Sequence, residues 1–241
     1  MKIHIVGAGP TGMSLAWELL KSGEHEVTIY DRKDSGGGSW WEPDDEVRDL
    51  HAHRIVFDRA FVNTQSLFSE MGIDWNDMFQ AKDNGEHIGF VLRSLSVKDY
   101  GTLLTMFARV LTQSNKYKSM SVKDAVGTLS EKGQLLIEHL PLIMDGVTWD
   151  VMSAYEFVQN LNHVGLSKPY TQKVSGKIMC DAMENAVMDA GGNFVFNVEL
   201  VSVAYGEDTY MAKFSNGTIV EDGMLFLCLD NSPALNFLAE N

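Results

Sequence analysis

Three glycines and an aspartate near the N-terminus have the residue types and the spacing needed to hold a dinucleotide. Gly7, Gly9 and Gly12 form the pattern G-x-G-x-x-G directly after a short apolar run. Asp31 follows about 20 residues later, which is the usual place of the acidic residue in this motif. The first glycine permits a tight turn, the second lets a pyrophosphate approach the backbone, and the third lets a helix pack closely on a sheet. Because the acidic residue accepts hydrogen bonds from ribose hydroxyls, the sequence predicts the binding of an ADP-containing cofactor.

The sequence around these residues supplies the strand, helix and strand that must position them. Residues 2–6 form an apolar run typical of a short buried strand, and residues 26–30 alternate as a second strand does. Between them, residues 11–22 place apolar side chains three or four positions apart, as an amphipathic helix does. The free N–H groups at the start of such a helix attract phosphates. We therefore predict a Rossmann-like β-α-β unit with Asp31 at the end of its second strand; the alternative is a unit of this kind that binds no ligand.

A second glycine-rich segment, Gly36-Gly37-Gly38, bears on the choice of cofactor. The first motif does not separate FAD from NAD, because both present ADP to the same turn. The carboxylate of Asp31 would repel the 2′-phosphate of NADP, an argument that the neighbouring Arg32 weakens. A second flexible backbone segment suits a longer, extended cofactor, and the Tyr-x-x-x-Lys pair of short-chain dehydrogenases does not occur. The sequence favours FAD over NAD, and a chain that binds no cofactor is the remaining alternative.

Composition and charge restrict the class of protein and of partner. The 241 residues are 45% hydrophobic and 22% charged, which is ordinary for a globular protein. The net charge of −14, without a Lys/Arg cluster, excludes nucleic acid and anionic membrane surfaces as partners. Two cysteines, Cys180 and Cys228, imply no disulfide framework, and the longest apolar run, 224–229, is too short to span a bilayer. We expect a soluble, cytoplasmic protein that acts on a small molecule.

The pattern of elements divides the chain into three parts. Residues 1–75 and 169–241 have α/β patterning, whereas residues 76–168 are predicted to be mostly helical. Two segments of the helical part begin with Ser-Val-Lys-Asp, at Ser96 and at Ser121. Each is typical of a capping box, in which the serine accepts a hydrogen bond from the backbone of the first helical turn. The two segments therefore predict two helix starts.

The C-terminal part carries its own succession of elements. Residues 175–190 are predicted to form a helix that a glycine pair closes, and residues 193–203 a strand. Residues 210–220 surround an Asn-Gly pair, which is a strong signal for a hairpin. The continuous apolar run 224–229 indicates a strand that is buried on both faces.

This order of segments resembles the FAD-dependent amine oxidase and phytoene desaturase superfamily. The resemblance rests on the G-x-G-x-x-G motif, the acidic residue, the basic and glycine-rich residues after it, and the later helix, glycine pair, hairpin and strand. It implies an α/β fold in which residues 1–75 and 169–241 form one discontinuous, Rossmann-like FAD/NAD(P)-binding domain. Residues 76–168 would be a mostly helical insertion that serves as a substrate or cap region. The implied activity is that of an FAD-dependent oxidoreductase, whose flavin accepts a hydride from an amine or a C–C substrate.

The chain departs from the family pattern at three places. Asp31 stands where the family usually has Glu, and Ser39-Trp40-Trp41 where it usually has Arg after the glycine pair. Gly-Gly-Ser-Trp is closer to the Gly-Gly-x-Trp of flavin-containing monooxygenases. The family's C-terminal strand and helix, which close the flavin site, are not recognised before Asn241, so a missing segment or a partner is expected to complete the site. The alternatives are a flavin-containing monooxygenase-like enzyme and a non-catalytic nucleotide-binding fragment, or half of a split flavoenzyme.

The motif and the resemblance together give a set of residues predicted to bind the cofactor. Within the family, the segment that ends at Arg54 runs beneath the flavin, so Arg54 is expected to pair with a phosphate or with the N1–C2 edge of the ring; the alternative is a solvated loop. Leu200 stands at the position of a family valine on the adenine side. The full set is Gly7, Gly9, Pro10, Thr11, Gly12, Asp31, Arg32, Gly37, Gly38, Ser39, Trp40, Arg54 and Leu200. No catalytic residue and no metal ligand is assigned from the sequence.

Overall fold

The structure, a computed structural model, describes residues 1–40, 55–82, 93–165, 167–206 and 209–230, together with Ala234 and Phe237. The chain divides into two compact units. The sheet unit comprises Met1–Ile55, Asn63–Gln80 and Thr171–Asn241, and the helical unit comprises Val56–Val62 and Ala81–Tyr170.

Strands and helices alternate at both ends of the described chain, and helices predominate between them. The strands are β1 (Lys2–Val6), β2 (Glu26–Tyr30), β3 (Ile55–Phe57), β4 (Phe79–Ala81), β5 (Pro169–Gln172), β6 (Asn193–Val195), β7 (Leu200–Tyr205), β8 (Tyr210–Phe214), β9 (Ile219–Val220) and β10 (Met224–Leu227). The helices are α1 (Pro10–Leu20), α2 (Val62–Glu70), α3 (Trp75–Met78), α4 (Val97–Thr112), α5 (Ser114–Tyr117), α6 (Val122–Val126), α7 (Glu131–Asp145), α8 (Ala154–Gly165) and α9 (Gly176–Asp189). Among the helices of the described ranges, none combines the length and the hydropathy that a bilayer crossing requires.

A four-stranded parallel sheet in the order β10-β1-β2-β6 forms the centre of the sheet unit. The apolar residues of β1 and β2 explain its position, since Ile3, Ile5, Val27 and Ile29 are all at most 1% exposed. Strands buried in this way are typical of parallel sheets covered by helices. The predicted bounds of β1 and β2 are confirmed, and so is the predicted α/β fold with a Rossmann-like domain.

Helix α1 connects β1 to β2 and packs through one apolar face. Met13, Ala16 and Leu20 are buried on that face, and α1 lies against α9. The helix ends at Leu20, and Gly23, with φ +68°, donates its backbone N–H to the Leu20 carbonyl. A glycine tolerates this left-handed conformation best, which explains why the chain turns toward β2 here.

The C-terminal segment predicted as one strand over residues 193–203 is two strands, so that prediction is wrong. Asn193–Val195 pairs with β2 in the parallel sheet, whereas Leu200–Tyr205 belongs to a separate antiparallel sheet in the order β7-β8-β9. Asn197, with φ +58°, lies between the two strands in the left-handed conformation, which asparagine adopts more readily than most residues. The chain therefore changes direction in the middle of the apolar run.

The predicted hairpin is present, with its turn at Asn216-Gly217. Gly217 has φ +88°, and the Asn216 side chain accepts a hydrogen bond of 3.0 Å from the Thr218 N–H. The prediction that residues 224–229 are buried on both faces is wrong. Met224 is 46% exposed and the other residues of β10 are half-buried, because β10 is the outer strand of the sheet among the described residues.

Both cysteines are free thiols in the sheet unit. Cys180 lies in the buried face of α9, and Cys228 follows β10 and is half-buried. Burial, with smaller contributions from Asp181 and Glu184, raises the pKa of Cys180 to about 12. A thiol with such a pKa is a poor nucleophile at neutral pH.

The helical unit has its own hydrophobic core and two helix starts that the sequence predicted. The core includes Met106, Val110 and Phe157, which are at most 1% exposed. The Ser96 hydroxyl accepts a hydrogen bond from the backbone of α4, and the Ser121 hydroxyl accepts one from the backbone of α6. The two predicted helix starts are confirmed.

Asp99 joins the starts of two helices that are distant in sequence. Its carboxylate accepts from the Ser96 N–H at 2.8 Å and the Ser96 hydroxyl at 2.7 Å, at the start of α4. It also accepts from the Ser130 N–H at 2.8 Å and the Ser130 hydroxyl at 2.5 Å, at the start of α7. Burial disfavours the charged carboxylate, but the bonds from Ser130 and Ser96 outweigh it and hold the pKa of Asp99 well below its ordinary value. The residue is fully buried, so these four donors replace water.

We predict that Asp99→Asn destabilises the helical unit by about 3 kcal/mol at neutral pH, since four buried hydrogen bonds lose a charged acceptor. Hydrogen exchange of the backbone amides of α4 and α7 measures this local free energy. Because the pKa of Asp99 is lower in the folded chain than in the unfolded chain, its contribution is full above the ordinary aspartate pKa of about 4 and is lost as the pH falls below it. The difference between wild type and variant should therefore shrink at acidic pH. Asp124→Asn, at the exposed cap of α6, is the matched control and should change the stability by about 0.5 kcal/mol; an equal effect of the two variants contradicts the prediction.

Candidate functional site

A cavity of about 580 Å³ lies in the sheet unit, at the carboxyl ends of β1, β2 and β10. Ligands of open α/β sheets bind at this end of the strands, and the volume is that of a typical small-molecule site. The lining residues are Val6, Gly7, Gly9, Pro10, Thr11, Tyr30, Asp31, Arg32, Lys33, Gly38, Ser39, Val198, Glu199, Leu200, Leu227, Cys228, Leu229, Asp230 and Phe237.

Two of the three motif glycines are required by the fold itself. Gly7 has φ +107°, and a side chain there would collide with the carbonyl oxygen of Cys228. A side chain at Gly12 would collide with the carbonyl oxygen of Gly7, so α1 approaches the end of β1 as closely as the backbone allows. These glycines set the path of the chain around the cavity.

Gly9 differs from the other two because no contact within the described residues requires a glycine there. Its φ of −73° suits any residue, and an added Cβ would meet only the Gly38 Cα, at 3.6 Å, which is an ordinary contact. Gly9 nevertheless lines the cavity. A Cβ at this position would therefore reduce the space for a ligand without colliding with the described residues.

The first turn of α1 also lacks the cap that other helices of this chain have. Gly9 is the residue at the N-cap, so no side chain accepts from the backbone of the first turn, where Pro10 and Thr11 line the cavity. In contrast, six helices elsewhere in the described residues begin at a side chain that accepts such a bond, namely Asp74, Ser96, Ser121, Ser130, Ser153 and Ser175. Free N–H groups and the helix dipole make the start of α1 suitable for an anion.

The carboxylate of Asp31 is held in place by the backbone at the end of β2. One oxygen accepts from the Ala8 N–H at 2.7 Å and the other from the Lys33 N–H at 2.8 Å. A carboxylate has about four lone-pair sites, so two of them stay available toward the cavity that Asp31 lines. The two backbone donors orient the side chain before any ligand arrives.

The segment Gly36-Gly37-Gly38 lies beside the glycine motif. Gly37 has φ +129° and donates its N–H to the Ala8 carbonyl at 2.8 Å. Gly36 donates its N–H to the carboxylate of Glu184, on α9, at 3.0 Å. The sequence analysis did not find Glu184, because no local pattern links it to a segment 148 residues earlier.

Apolar and aromatic residues form another part of the wall. Tyr30, Val198 and Leu200 are at most 6% exposed and line the cavity, and the Tyr30 ring stacks on Phe214 with centroids 4.4 Å apart. The Tyr30 hydroxyl lies 3.2 Å from Nδ1 of His4. Burial, and then the charge of Asp222, raise the pKa of Tyr30, so its hydroxyl stays neutral at physiological pH.

The structure brings most of the predicted binding residues together. Those that line the cavity are Gly7, Gly9, Pro10, Thr11, Asp31, Arg32, Gly38, Ser39 and Leu200. Arg32 is exposed, and its Nη1 lies 4.0 Å from Oε1 of Glu199. Gly12, Gly37 and Trp40 are not among the lining residues, and Arg54 lies outside the described residues. The sequence analysis missed Tyr30 and Val198, whose alternating apolar pattern marks them only as core.

Sequence comparison identifies the first part of the chain. Residues 5–68 match the family model of the NAD(P)-binding Rossmann-like domain. A 15-cis-phytoene desaturase of Narcissus pseudonarcissus is 33% identical over 86 residues, which are 35% of this chain and 14% of that protein. A thiamine thiazole synthase of Thermococcus kodakarensis is 23% identical over 221 residues, covering 90% of this chain and 76% of that protein.

Solved structures share the fold at low sequence identity. An oxidoreductase from Methanosarcina mazei superposes with a TM-score of 0.75 at 16% identity, covering all of this chain and 61% of the other. Putrescine oxidase superposes with a TM-score of 0.60 at 16% identity, covering 95% of this chain and 58% of the other. The chain thus spans less than two thirds of these structures and a small part of the phytoene desaturase.

These comparisons agree with the geometry of the cavity. The family model and the shared fold indicate a flavin or nucleotide cofactor. The proteins related to the chain by sequence or fold include oxidoreductases, among them the desaturase and the oxidase. Residues 5–68 thus match an NAD(P)-binding Rossmann-like domain, and the sequence similarity to a phytoene desaturase is in line with the resemblance found in the sequence.

Proposed function

We propose that the sheet unit binds FAD in the cavity described above, as part of an FAD-dependent oxidoreductase of the amine oxidase or desaturase type. The observation that carries the proposal is Gly9, which lines the cavity and at which a Cβ would make only an ordinary contact with the described residues. A bound pyrophosphate explains it, because a side chain there would occupy the place of the phosphates.

The residues of the cavity fit the ADP half of the cofactor. The uncapped first turn of α1 would donate N–H groups to the pyrophosphate, and the two available lone pairs of Asp31 would accept from the ribose hydroxyls. Val198 and Leu200, both buried on the wall of the cavity, would contact the adenine. These residues thus offer a partner for the pyrophosphate, the ribose and the adenine in turn.

We propose FAD rather than NAD because of the position of the second glycine segment, Gly36–Gly38. Gly38 lies against Gly9, so the second glycine segment lengthens the stretch of flexible backbone beside the motif, which suits a longer, extended cofactor. The names of the relatives support the same class, since they include a phytoene desaturase, and one structural neighbour is a putrescine oxidase. A substrate oxidised at an amine or at a C–C bond is proposed accordingly, with the helical unit as the region that selects it.

The chain's own residues would bind and orient the cofactor rather than take part in the redox step. When bound, FAD supplies that step by accepting two electrons and a proton as a hydride from the substrate. No residue of the described ranges is assigned as a catalytic acid or base. The adenosine end of FAD would be held by α1, Asp31 and the apolar wall. This would set the position of the rest of the cofactor.

The proposal is tested by titration of the purified protein with FAD and, separately, with NAD⁺. We expect FAD to bind, with a change in its visible absorbance and fluorescence, and to be reduced under anaerobic conditions by an amine or by a substrate with an oxidisable C–C bond. Binding of NAD⁺ alone would favour a nicotinamide enzyme, and binding of neither cofactor would refute the proposal.

We predict that Gly9→Val abolishes FAD binding and lowers the free energy of unfolding in urea by at most about 1 kcal/mol, because an added Cβ meets only an ordinary contact among the described residues. Gly12→Ala is the comparison variant. Its Cβ would collide with the Gly7 carbonyl, so we expect a loss of about 3 kcal/mol in the free energy of unfolding. Wild-type FAD affinity in Gly9→Val would mean that this turn does not contact the cofactor.

We also predict that Asp31 determines discrimination against a 2′-phosphate. ADP should compete with FAD at least about tenfold better than 2′-phosphorylated ADP, since the carboxylate repels the extra phosphate. Asp31→Asn should reduce this preference several-fold, whereas Asp34→Asn, which removes an exposed carboxylate nearby, should not. The measurement is a competition titration with each nucleotide, and an unchanged preference in Asp31→Asn contradicts the assigned role.

A further inference from the structure

We propose that Glu184 is a positioning residue for the cofactor, because it holds the Gly36–Gly38 segment against the first glycine motif. This inference rests on the proposed function and adds to it a residue outside the glycine motifs and outside the cavity lining. Glu184 lies on α9 and is not among the residues that line the cavity.

The contact between Glu184 and Gly36 is direct and tightly enclosed. The Gly36 N–H donates to Oε2 of Glu184 at 3.0 Å. A Cβ added to Gly36 would lie 2.9 Å from that oxygen, 3.3 Å from the Ala8 carbonyl oxygen and 3.4 Å from the sulfur of Met13. Gly36 is therefore buried between α9, α1 and the turn after β1, with the carboxylate as the acceptor for its N–H.

The rest of the glycine segment depends on where Gly36 is held. Gly37 and Gly38 have φ values of +129° and +54°, so the segment has conformational freedom that other residues would not give it. Gly37 donates to the Ala8 carbonyl, and a Cβ on Gly38 would lie 2.9 Å from the Cα of Gly9. The position of Gly36 thus sets how closely the segment approaches Gly9, where the pyrophosphate is proposed to bind.

A carboxylate on α9 is suited to holding Gly36 in one position. Charged acceptors form hydrogen bonds about twice as strong as neutral ones. Met183 and Val187, the neighbours of Glu184 on the same helix, are at most 1% exposed, so the core fixes the backbone that carries the acceptor. The bond from the Lys33 ammonium to the Gly38 carbonyl is longer, at 3.2 Å, and Lys33 is exposed.

Two variants distinguish the effect of losing the hydrogen-bond acceptor from an effect on helix α9 itself. Glu184→Ala removes the acceptor, whereas Glu184→Gln keeps an oxygen that can accept from Gly36. Asp181→Ala is the matched control. It removes a carboxylate that lies on α9 one turn before Glu184 and that pairs with Lys177. Circular dichroism and thermal unfolding establish that each variant is folded.

The first measurement is hydrogen exchange of residues 33–40 in the protein without added cofactor. We expect Glu184→Ala to raise exchange at the Gly36 and Gly37 amides by at least about tenfold, which is 1.4 kcal/mol in opening free energy. The hairpin of β7 and β8 should be unchanged. Glu184→Gln and Asp181→Ala should remain close to wild type.

The second measurement is the dissociation constant of FAD for the same proteins. We expect Glu184→Ala to bind about tenfold more weakly and Glu184→Gln to restore most of the affinity. Wild-type affinity in Glu184→Ala, or equal weakness of Glu184→Gln and Glu184→Ala, would overturn the inference. Failure of the wild type itself to bind FAD would instead overturn the proposed function and this inference together, so the two failures are distinguishable.

Discussion

The close approach of α1 to the end of β1 is the constraint on which the rest of the sheet unit depends. A helix can begin so near a strand only if Gly12 leaves space for the Gly7 carbonyl, and if Gly7 adopts a positive φ beside Cys228. The same geometry places Gly9 at the N-cap, where no side chain can satisfy the first turn. The packing of one helix therefore creates both the cavity wall and the free N–H groups that face it.

In the helical unit, side chains satisfy the backbone N–H groups at the starts of helices, whereas at the start of α1 they stay free. Asp99 satisfies the starts of α4 and α7 at once, through the Ser96 and Ser130 backbones and hydroxyls, in a fully buried position. A buried carboxylate without these donors would be destabilising, because it would lose the water that solvates it in the unfolded chain. The contrast with α1 supports a functional reason for the uncapped turn, since this chain supplies caps readily where helices only need to fold.

The sequence predicts those parts of the fold that local patterns determine. The bounds of β1 and β2, the serine caps of α4 and α6, and the hairpin at Asn216-Gly217 each depend on residues within a few positions of one another. The break between β6 and β7 and the partial exposure of β10 depend on which strands become neighbours, and the alternation of apolar residues does not encode that. Tyr30, Val198 and Glu184 escaped prediction as site residues for the same reason: they reach the cavity or its glycine segment only through tertiary packing.

The charge of the chain shows what kind of recognition the proposed site must use. With 33 acidic and 19 basic residues, the long-range field opposes the approach of a pyrophosphate, and Asp31 adds a carboxylate at the cavity itself. Backbone N–H groups act only at hydrogen-bond distance, so they can outweigh this repulsion only if they are held rigidly in the correct place. The bonds from Ala8 to Asp31, from Gly37 to Ala8 and from Gly36 to Glu184 provide that rigidity. In this arrangement the carboxylate of Glu184 fixes backbone that would bind the ligand, whereas the carboxylate of Asp31 would itself bind the ribose hydroxyls.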